Sequence, residues 1–466
     1  MASAPALPRD TWTDAALASI GTWLQTHGRA IRSVQWAVVM IYAVLVAVPA
    51  LLPLPDRSAH IWTNLTLFAQ FAFWGIWWPF VLVSMVLVGR VWCGVFCPEG
   101  ALSEFASRWS LGRAVPHWLR WGGWPFLAFA GTTVYGQMVS VYGYPKPVLA
   151  ILGGSTLAAI GIGLLYGRNK RVWCRYLCPV NGVFAVLAKL APVSFQVDGA
   201  AWAVSPRPPR SDAFNCAPLV PVRTMRGAGA CHMCGRCNGY RSAVRLARRS
   251  PNHEIVHVAG GEPSVDQTVL ILFGMLGIAV GAFQWSASPW YIDTKQALAT
   301  WMIEHGVTWP LETSLPWFVL TNYPDHNDVL TLLDGSLLLA YIGAAALVIG
   351  GLLSALIALA TRMLGPWSWA RFHHLTQTLI PVAGCGVFLG LSALTITFLR
   401  QDSIVVPFVP QTRALLLGGA TLWSLALAWQ VAGLSATRLR RAAATVCLAG
   451  AAALSVANWV LLFWIW

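Results

Sequence analysis

The chain has 466 residues, of which 57% are hydrophobic and only 10% are charged. This small number of charged residues cannot cover the surface of a soluble globule of this size. The composition therefore excludes an ordinary soluble enzyme and predicts a membrane protein. The formal net charge is +14. Because basic residues in a membrane protein first set its orientation, this charge is no sign of nucleic-acid binding, and no nucleic-acid partner is expected.

The hydrophobic runs predict an all-α polytopic membrane protein with about nine transmembrane helices. A helix needs about 20 mainly apolar residues to cross the hydrocarbon core. The runs that meet this requirement cover residues 34–54, 65–88, 121–141, 148–166, 269–285, 336–360, 375–399, 414–434 and 442–465. The first 30 residues lack an apolar core followed by a small-residue cleavage site, so we expect no cleaved signal peptide and a retained first span.

The basic residues predict the orientation of these spans. If the N-terminus is cytoplasmic, 26 of the 31 Lys and Arg residues lie on inside segments. The five outside are Arg57, Lys146, Lys295, Arg400 and Arg413. The opposite orientation would break the positive-inside rule at nearly every loop. We therefore expect a multi-pass protein of the bacterial inner (cytoplasmic) membrane with a cytoplasmic N-terminus.

A nine-residue motif occurs twice. Residues 90–98 read RVWCGVFCP, and residues 171–179 read RVWCRYLCP. Each copy follows a predicted two-span hairpin, so the first four spans form a duplicated unit that delivers two CxxxCP motifs to the cytoplasmic face. The proline after the second cysteine of each motif turns the chain away and leaves the sulfur free to project toward a ligand.

Eight of the ten cysteines lie in or near short motifs on segments expected to be cytoplasmic, where thiols stay reduced and metal ligation is favoured over disulfides. Residues 231–237 form a CxxCxxC run, which usually supplies three corners of a [4Fe-4S] cube, the fourth coming from a distant Cys-Pro. With Cys216 there are enough thiols for two clusters. The candidate ligands are Cys93, Cys97, Cys174, Cys178, Cys216, Cys231, Cys234 and Cys237.

A structural zinc site is the main alternative, since zinc also takes four thiolates, but it typically uses paired CxxC knuckles. Cys385 and Cys447 lie within predicted spans and are interpreted as packing residues. Several arginines surround the CxxCxxC run. Arg236, which lies between two candidate ligands, is the one we expect to tune a cluster, whereas the others are equally explained by orientation or by contact with anionic lipid.

Residues 65–258 resemble the NapH/NosR/CcoG-like polytopic membrane ferredoxins, in which transmembrane hairpins precede CxxxCP motifs and a ferredoxin-like segment follows. The resemblance implies two [4Fe-4S] clusters and electron transfer linked to a quinone pool or a periplasmic redox partner. Two features depart from the family. The ferredoxin run CxxCxxCxxxCP is cut short, because residues 238–241 (NGYR) directly after Cys237 bring no fourth cysteine, so Cys216 is a candidate substitute and the pairing of ligands stays open. The periplasmic flavin-bearing domain of the nitrous-oxide maturation members is also missing.

The C-terminal half is similar to the FtrD-like polyferredoxin of FtrABCD-type bacterial iron-uptake systems, on residues 321–328 (TNYPDHND) and 372–375 (FHHL). This second resemblance implies an iron permease and a periplasmic cupredoxin as partners. The predicted regions are a cytoplasmic N-terminal segment (1–33), duplicated two-helix units with the first CxxxCP motif (34–167), a small cytoplasmic ferredoxin-like iron-sulfur region (168–266) and a five-helix membrane region (267–466) with a periplasmic loop at about 286–335.

The sequence thus predicts an electron-transfer subunit rather than a stand-alone enzyme. Three hypotheses remain: a redox subunit of an iron-uptake complex, a quinol-linked subunit feeding a periplasmic reductase, and a maturation factor for a metalloenzyme. If both clusters lie on the inside face, electrons still have to cross most of the bilayer to reach a periplasmic partner. We therefore expect a further carrier, such as a haem, flavin or quinone, whose site the sequence does not indicate.

Two other groups are candidate sites. His373 and His374 stand at the predicted cytoplasmic mouth of the seventh span, where they either ligate a haem or metal, shuttle protons to a quinone, or simply cap the helix. On the periplasmic side, residues 325–328, with Glu304 and His305 upstream, include Asp and His side chains that suit iron. The same residues are equally explained as a solvated loop.

Overall fold

The computed structural model describes residues 11–56, 58–206, 214–312, 315–434 and 436–466, so the predicted outside residue Arg57 lies beyond what it describes. The α-helices in chain order are α1 (Thr11–Thr26), α2 (Gly28–Leu51), α3 (Leu65–Gln70), α4 (Trp78–Val88), α5 (Pro98–Ala106), α6 (Trp124–Met138), α7 (Pro145–Val148), α8 (Gly154–Tyr166), α9 (Val172–Tyr176), α10 (Asn181–Leu187), α11 (Gly199–Val204), α12 (Val265–Val269), α13 (Ala279–Gln284), α14 (Pro289–Glu304), α15 (Leu332–Met363), α16 (Trp369–Thr376), α17 (Ile380–Gln401), α18 (Val409–Ala432) and α19 (Arg438–Val460). Segments of π-helix cover Phe71–Trp77, Trp92–Phe96, Leu149–Gly153, Glu254–Val258, Leu270–Ile278 and Leu461–Ile465.

Among the described residues, eight helices are long and apolar enough to cross a membrane. They cover Gly28–Leu51, Leu65–Val88, Pro145–Tyr166, Val265–Gln284, Leu332–Met363, Trp369–Gln401, Val409–Ala432 and Arg438–Ile465. The strands in the described ranges form two short pairs: β1 (Val193–Val197) with β2 (Val244–Arg248), and β3 (Asn322–Tyr323) with β4 (Asp328–Val329). The predicted all-α polytopic fold is confirmed.

The third predicted span is shorter than expected. Its helix α6 has 15 residues, which extends for only about 22 Å at about 1.5 Å per residue, less than the roughly 30 Å of a hydrocarbon core. A turn at Gly122 and Gly123 delays its start, and Ser140, whose φ is +49°, stops the helix on the other side. Hydropathy alone gave no sign of these two interruptions.

The chain forms two compact units. The first comprises residues 1–44, 80–125 and 154–261, and the second comprises residues 45–79, 126–153 and 262–466. Both units are therefore discontinuous in sequence.

In the first unit, a two-stranded sheet packs on the N-terminal helix. Strands β1 and β2 pair antiparallel, with Phe195 opposite Leu246. Both side chains are buried, and Leu17 and Leu24 of α1 pack against the same core. The core also contains Met233 and two of the candidate cysteine ligands. The sheet, the helix and the cysteine loop thus share one hydrophobic core.

In the second unit, α15 packs closely against the span Val265–Gln284. A Cβ atom on Gly277 would lie 2.8 Å from the Cα atom of Ala346, and one on Gly281 would lie 3.1 Å from the Cα atom of Ile342. Small residues at such positions let helix backbones approach each other, which is how membrane helices commonly associate. The hairpin of β3 and β4 also belongs to this unit.

Candidate metal centres

The first CxxxCP motif lies where a π-helical turn gives way to α5. Cys93 is in the turn Trp92–Phe96, and Cys97 is the N-cap of α5, with Pro98 at the first helical position. Proline is tolerated there because its missing N–H would have no partner inside the helix anyway. The Cys97 sulfur accepts a hydrogen bond from the Gly100 amide at 3.4 Å. A helix N-terminus of this kind favours a thiolate.

The second CxxxCP motif is built similarly. Cys174 lies in the short helix α9 and is buried with Trp173. Cys178 follows in a turn, and its amide donates to the Trp173 carbonyl oxygen at 3.0 Å. Cys97 interacts electrostatically with Cys93 and Cys174, and Cys178 interacts with all three. We call Cys93, Cys97, Cys174 and Cys178 the first quartet.

The CxxCxxC run forms a second group of thiols with Cys216. Cys216 interacts with Cys234, and both Cys231 and Cys237 interact with Cys216 and Cys234. We call Cys216, Cys231, Cys234 and Cys237 the second quartet. The cysteines of the two CxxxCP motifs therefore form one group. The CxxCxxC run is grouped with Cys216 rather than with a distant Cys-Pro.

The CxxCxxC loop turns tightly at two residues in the left-handed backbone conformation. Met233 and Gly235 have φ values of +53° and +75°. The Met233 amide donates to the Cys231 sulfur at 3.4 Å. A Cβ atom on Gly235 would lie 2.3 Å from the Cβ atom of Leu24 in α1, so this position requires glycine for space as well as for φ.

The loops that carry the two quartets are in direct contact within the first unit. A Cβ atom on Gly94 would lie 2.0 Å from the carbonyl oxygen of His232 and 2.9 Å from the amide nitrogen of Cys234. Only glycine allows this approach. Gly94 follows a thiol of the first quartet, and His232 and Cys234 belong to the loop of the second. The backbone segments that carry the two groups of thiols are thus in contact.

Two buried arginines stand between the quartets. Arg90 and Arg171 occupy the same position in the two copies of the repeat, three residues before a cysteine, and are 3% and 1% exposed. Arg171 interacts electrostatically with Cys174 and Cys234. Arg90 interacts with Cys174 and Cys231. Each guanidinium therefore acts on both quartets.

The hydrogen bonds of these arginines link the two copies of the repeat. Arg171 Nη1 donates to the Cys93 carbonyl oxygen at 2.6 Å, and its Nε donates to Glu104 Oε2 at 2.8 Å. Arg90 donates to the Gly229 carbonyl oxygen at 2.8 Å and to Asn181 Oδ1 at 2.7 Å. Within the described part of the chain, Nε of Arg90 and Nη2 of Arg171 are buried without a hydrogen-bond partner.

Glu104 joins Arg171 to Arg236, the residue that the sequence singled out for tuning. Its other carboxylate oxygen lies 2.7 Å from Arg236 Nη1. Burial opposes ionisation of Glu104, but the charges of Arg171 and Arg236 outweigh it and hold the pKa of the carboxyl below its ordinary value. The charge of Arg236 is therefore paired with the Glu104 carboxylate. Arg90 and Arg171, which were not singled out on sequence grounds, are the arginines buried beside the thiols.

The eight thiols are not paired in disulfides, and Cys93, Cys174, Cys231 and Cys237 are buried, whereas the other four are partly buried. Burial raises the pKa of Cys174 and of Cys231 to about 12, and it raises the pKa values of Cys97 and Cys178 well above the ordinary thiol value. Thiols in such surroundings become thiolates when a bound metal supplies the compensating charge.

The donor set fits a four-thiolate iron-sulfur cluster at each quartet. Four thiols, nearby guanidinium groups and two unpartnered buried N–H groups suit an anionic cluster whose sulfurs accept hydrogen bonds. Over the described residues, no three His, Cys, Asp or Glu side chains converge closely enough to hold a single metal ion. A [4Fe-4S] cube needs no such convergence, because each thiolate binds a different iron atom.

Comparison with known proteins supports this assignment for the first quartet. A protein-family model described as a 4Fe-4S binding domain matches residues 70–115 and 152–196. These two segments are similar to iron-sulfur binding sequence. Each contains one CxxxCP motif, so the match follows the duplication of the chain, and it ends before Cys216. No curated protein and no solved structure matches the chain.

The remaining candidates lie apart from the quartets in sequence and in role. His373 is buried, its Nδ1 atom lies 2.8 Å from the hydroxyl of Thr268, and its ring stacks on Trp369. His374 is buried in the same short helix. Cys385 and Cys447 lie in membrane-spanning helices. The histidine at 373 is thus held by packing and by a hydroxyl partner.

Proposed function

We propose that the protein is a membrane-bound electron-transfer protein that holds two [4Fe-4S] clusters, one on each quartet. The observation that carries the proposal is the contact of the two thiol loops at Gly94 and His232. Clusters of this type supply one-electron transfer. The chain's own residues hold the two groups side by side, exclude water from them and surround them with positive charge.

Anaerobic purification with iron and sulfide analysis tests the proposal. We expect about eight irons and eight sulfides per chain, the content of two cubes. Low-temperature EPR of the reduced protein should then show two clusters that interact magnetically, because the loops that hold them are in contact. Stoichiometric zinc, or a colourless oxygen-free preparation, would contradict the proposal.

We propose further that this electron transfer serves a bacterial iron-uptake complex, in which the chain is the redox subunit beside an iron permease and a periplasmic cupredoxin. The resemblance of residues 321–328 and 372–375 supports this context. A tagged chain should co-purify with a permease and a copper protein, and a deletion strain should lose iron uptake. A deletion strain that instead lacks a cofactor in a client metalloenzyme would indicate a maturation factor.

A quinol-linked role is the second candidate, and a specific contact favours it. Glu99, two residues after Cys97, interacts through a hydrogen bond with Ser155, and Tyr42 bonds to Thr156 at 2.9 Å. Both partners belong to the membrane-spanning helix Pro145–Tyr166. The first quartet thus borders a hydrophobic span, where a quinone would be present. Reduction of the clusters by menaquinol or ubiquinol in detergent would support this role over the iron-uptake role.

We also propose an inner-membrane location with a cytoplasmic N-terminus, with both quartets on the cytoplasmic side. The distribution of Lys and Arg supports this orientation. Labelling of intact cells with an impermeant thiol reagent should leave the quartet cysteines unmodified, whereas labelling from the outside would contradict it. A further carrier, whether haem, flavin or quinone, would complete a path across the bilayer.

A further inference from the structure

The hairpin of β3 and β4 presents a phenol and a carboxylate to the same place. Tyr323 and Asp328 are direct partners in the two-stranded ladder, joined by the turn Pro324–His326 and by Asn327, whose φ is +55°. Side chains of directly opposed residues lie on one face of a strand pair. Asp328 and its loop were candidate iron ligands on sequence grounds, whereas the tyrosine was not.

The hairpin is fixed in place. Leu330 donates its amide hydrogen to the Thr321 carbonyl oxygen at 2.8 Å, closing the base of the hairpin. The Thr321 amide and hydroxyl both donate to the Met138 carbonyl oxygen, at 2.9 and 3.0 Å, and the hydroxyl bonds to Ser140 Oγ at 2.8 Å. These bonds attach the hairpin to the segment that leads into Tyr144.

This attachment brings a second phenol to the hairpin. The rings of Tyr144 and Tyr323 are stacked, with centroids 3.6 Å apart and planes within 7°. The Tyr144 hydroxyl donates to Asp328 Oδ2 at 2.9 Å, and the same carboxylate also acts electrostatically on Tyr323. Among the described residues, the Tyr323 hydroxyl is buried without a hydrogen-bond partner.

We propose that Tyr144, Tyr323 and Asp328 form a binding site for one ferric ion. Two phenolates and one carboxylate supply three negative charges on hard oxygen atoms, which match a small trivalent cation. Binding releases the two phenol protons to solvent, and the ion replaces the hydrogen bond between Tyr144 and Asp328. Water fills the remaining positions, and the ring of His326, whose centroid is 6.4 Å from that of Tyr144, lies beside the site.

Other cations fit this donor set poorly. Magnesium and calcium favour carboxylates, carbonyls and water, and zinc favours thiolate and imidazole. Tyrosinate ligation is a known mode for iron. The unpartnered hydroxyl of Tyr323 and the preformed contact of the other two groups are what a site organised before binding would show. The inference goes beyond the proposed electron transfer and holds whether or not the clusters are present.

The full-length protein in detergent, oxidised so that its [4Fe-4S] clusters are diamagnetic, is titrated with ferric nitrilotriacetate. We expect one equivalent per chain to remain after gel filtration, giving the EPR signal of high-spin ferric iron and tyrosinate bands in resonance Raman spectra, which thiolate-bound clusters lack. Tyr144→Phe, Tyr323→Phe and Asp328→Asn should each weaken binding at least tenfold, and each keeps the shape of the side chain that it replaces.

Two variants serve as matched controls. Asp325→Asn removes an exposed charge from the same hairpin turn, and Tyr135→Phe removes a hydroxyl that donates to the Phe318 carbonyl oxygen. Both should bind ferric iron as the wild type does. Equal binding by Tyr323→Phe and Asp328→Asn, or bound iron without tyrosinate bands, would overturn the proposal. Acid-labile sulfide, measured on the same samples, reports on the clusters separately, so failure of the cluster assignment is distinguishable from failure of this site.

Discussion

Arg171 donates a 2.6 Å hydrogen bond from its guanidinium to the carbonyl oxygen of Cys93, so the second copy of the repeat holds a ligand loop of the first. Arg90, the equivalent residue of the first copy, reaches Asn181 beyond the second motif. The two copies of the repeat therefore interlock, and together they supply the four thiols of the first quartet. The charge on each arginine is shared by the two quartets, which couples their properties.

Replacing Arg171 should lower the reduction potentials of both clusters. Its positive charge favours the reduced, more negative state, and it acts on Cys174 and Cys234, one thiol of each quartet. Arg171→Gln removes the charge, whereas Arg171→Lys retains it. In EPR-monitored redox titrations we expect both signals to shift to lower potential in the Gln variant and to shift less in the Lys variant.

Arg245→Gln is the matched control for this experiment. Arg245 lies on β2 and is exposed, so its charge is screened by water. Its replacement should leave both potentials unchanged. A shift of only one signal in Arg171→Gln would mean that the guanidinium belongs to a single centre.

Replacing Cys216 should remove one cluster and spare the other. Cys216 is the only member of the second quartet outside the CxxCxxC run, so Cys216→Ser tests the proposed division of the thiols into two quartets. We expect iron and sulfide to fall from about eight to about four per chain, with one EPR signal retained. Cys97→Ser should remove the opposite signal, and Cys385→Ser should change neither. Loss of both signals in Cys216→Ser would contradict the division into quartets.

The spans and the candidate ligands follow from short-range sequence features. Runs of about 20 apolar residues predict membrane helices directly, and the cysteine spacings are local. The third predicted span became a helix of 15 residues because a Gly122–Gly123 turn and the left-handed Ser140 interrupt an otherwise apolar run. A hydropathy window averages over such interruptions.

The pairing of the thiols did not follow from the sequence, because it depends on contacts between residues far apart in the chain. Nothing local shows that Cys216 meets the CxxCxxC loop, or that Gly94 meets His232. The repeat did contain a usable signal: an arginine three residues before a cysteine in both copies. Its meaning depends on burial, because Arg90 and Arg171 are enclosed beside the thiols.

Adding one methyl group at Gly94 should separate the two centres. In Gly94→Ala the new carbon would lie 2.0 Å from the carbonyl oxygen of His232, and backbone atoms cannot give way as a flexible side chain does. We expect a loss of roughly 1–3 kcal/mol or more of unfolding free energy. Magnetic coupling between the clusters should weaken in EPR of whatever protein retains them.

Gly161→Ala is the control for this substitution. Gly161 lies in α8, and a Cβ atom there would meet nothing within 4 Å. The change should leave cluster content unchanged and raise stability by up to about 1 kcal/mol, because alanine favours a helix over glycine. Unchanged unfolding free energy, cluster content and magnetic coupling in Gly94→Ala would contradict the close contact of the two loops.

A buried ion pair should prove necessary for loading the second quartet. Arg249 Nη1 lies 2.5 Å from Glu254 Oε2, and both side chains are 5% exposed. The same carboxylate oxygen accepts the Ala228 amide at 2.7 Å, three residues before Cys231. The guanidinium also donates to the carbonyl oxygens of Ala188, Lys189 and Ala191. The pair therefore fastens the start of the CxxCxxC loop to the segment that leads into β1.

Breaking one partner of this pair leaves the other charge buried and unpaired, which typically costs about 3–5 kcal/mol. Glu254→Gln should accordingly lower the unfolding free energy by a few kcal/mol and reduce occupancy of the second quartet, measured as iron, sulfide and EPR amplitude. Asp198→Asn is the matched control: it removes a surface carboxylate charge from the N-cap of α11, and because Asn caps a helix about as well as Asp does, stability and cluster content should stay unchanged. Full occupancy of both quartets in Glu254→Gln, with unchanged stability, would show that the CxxCxxC loop is held by its ligands alone.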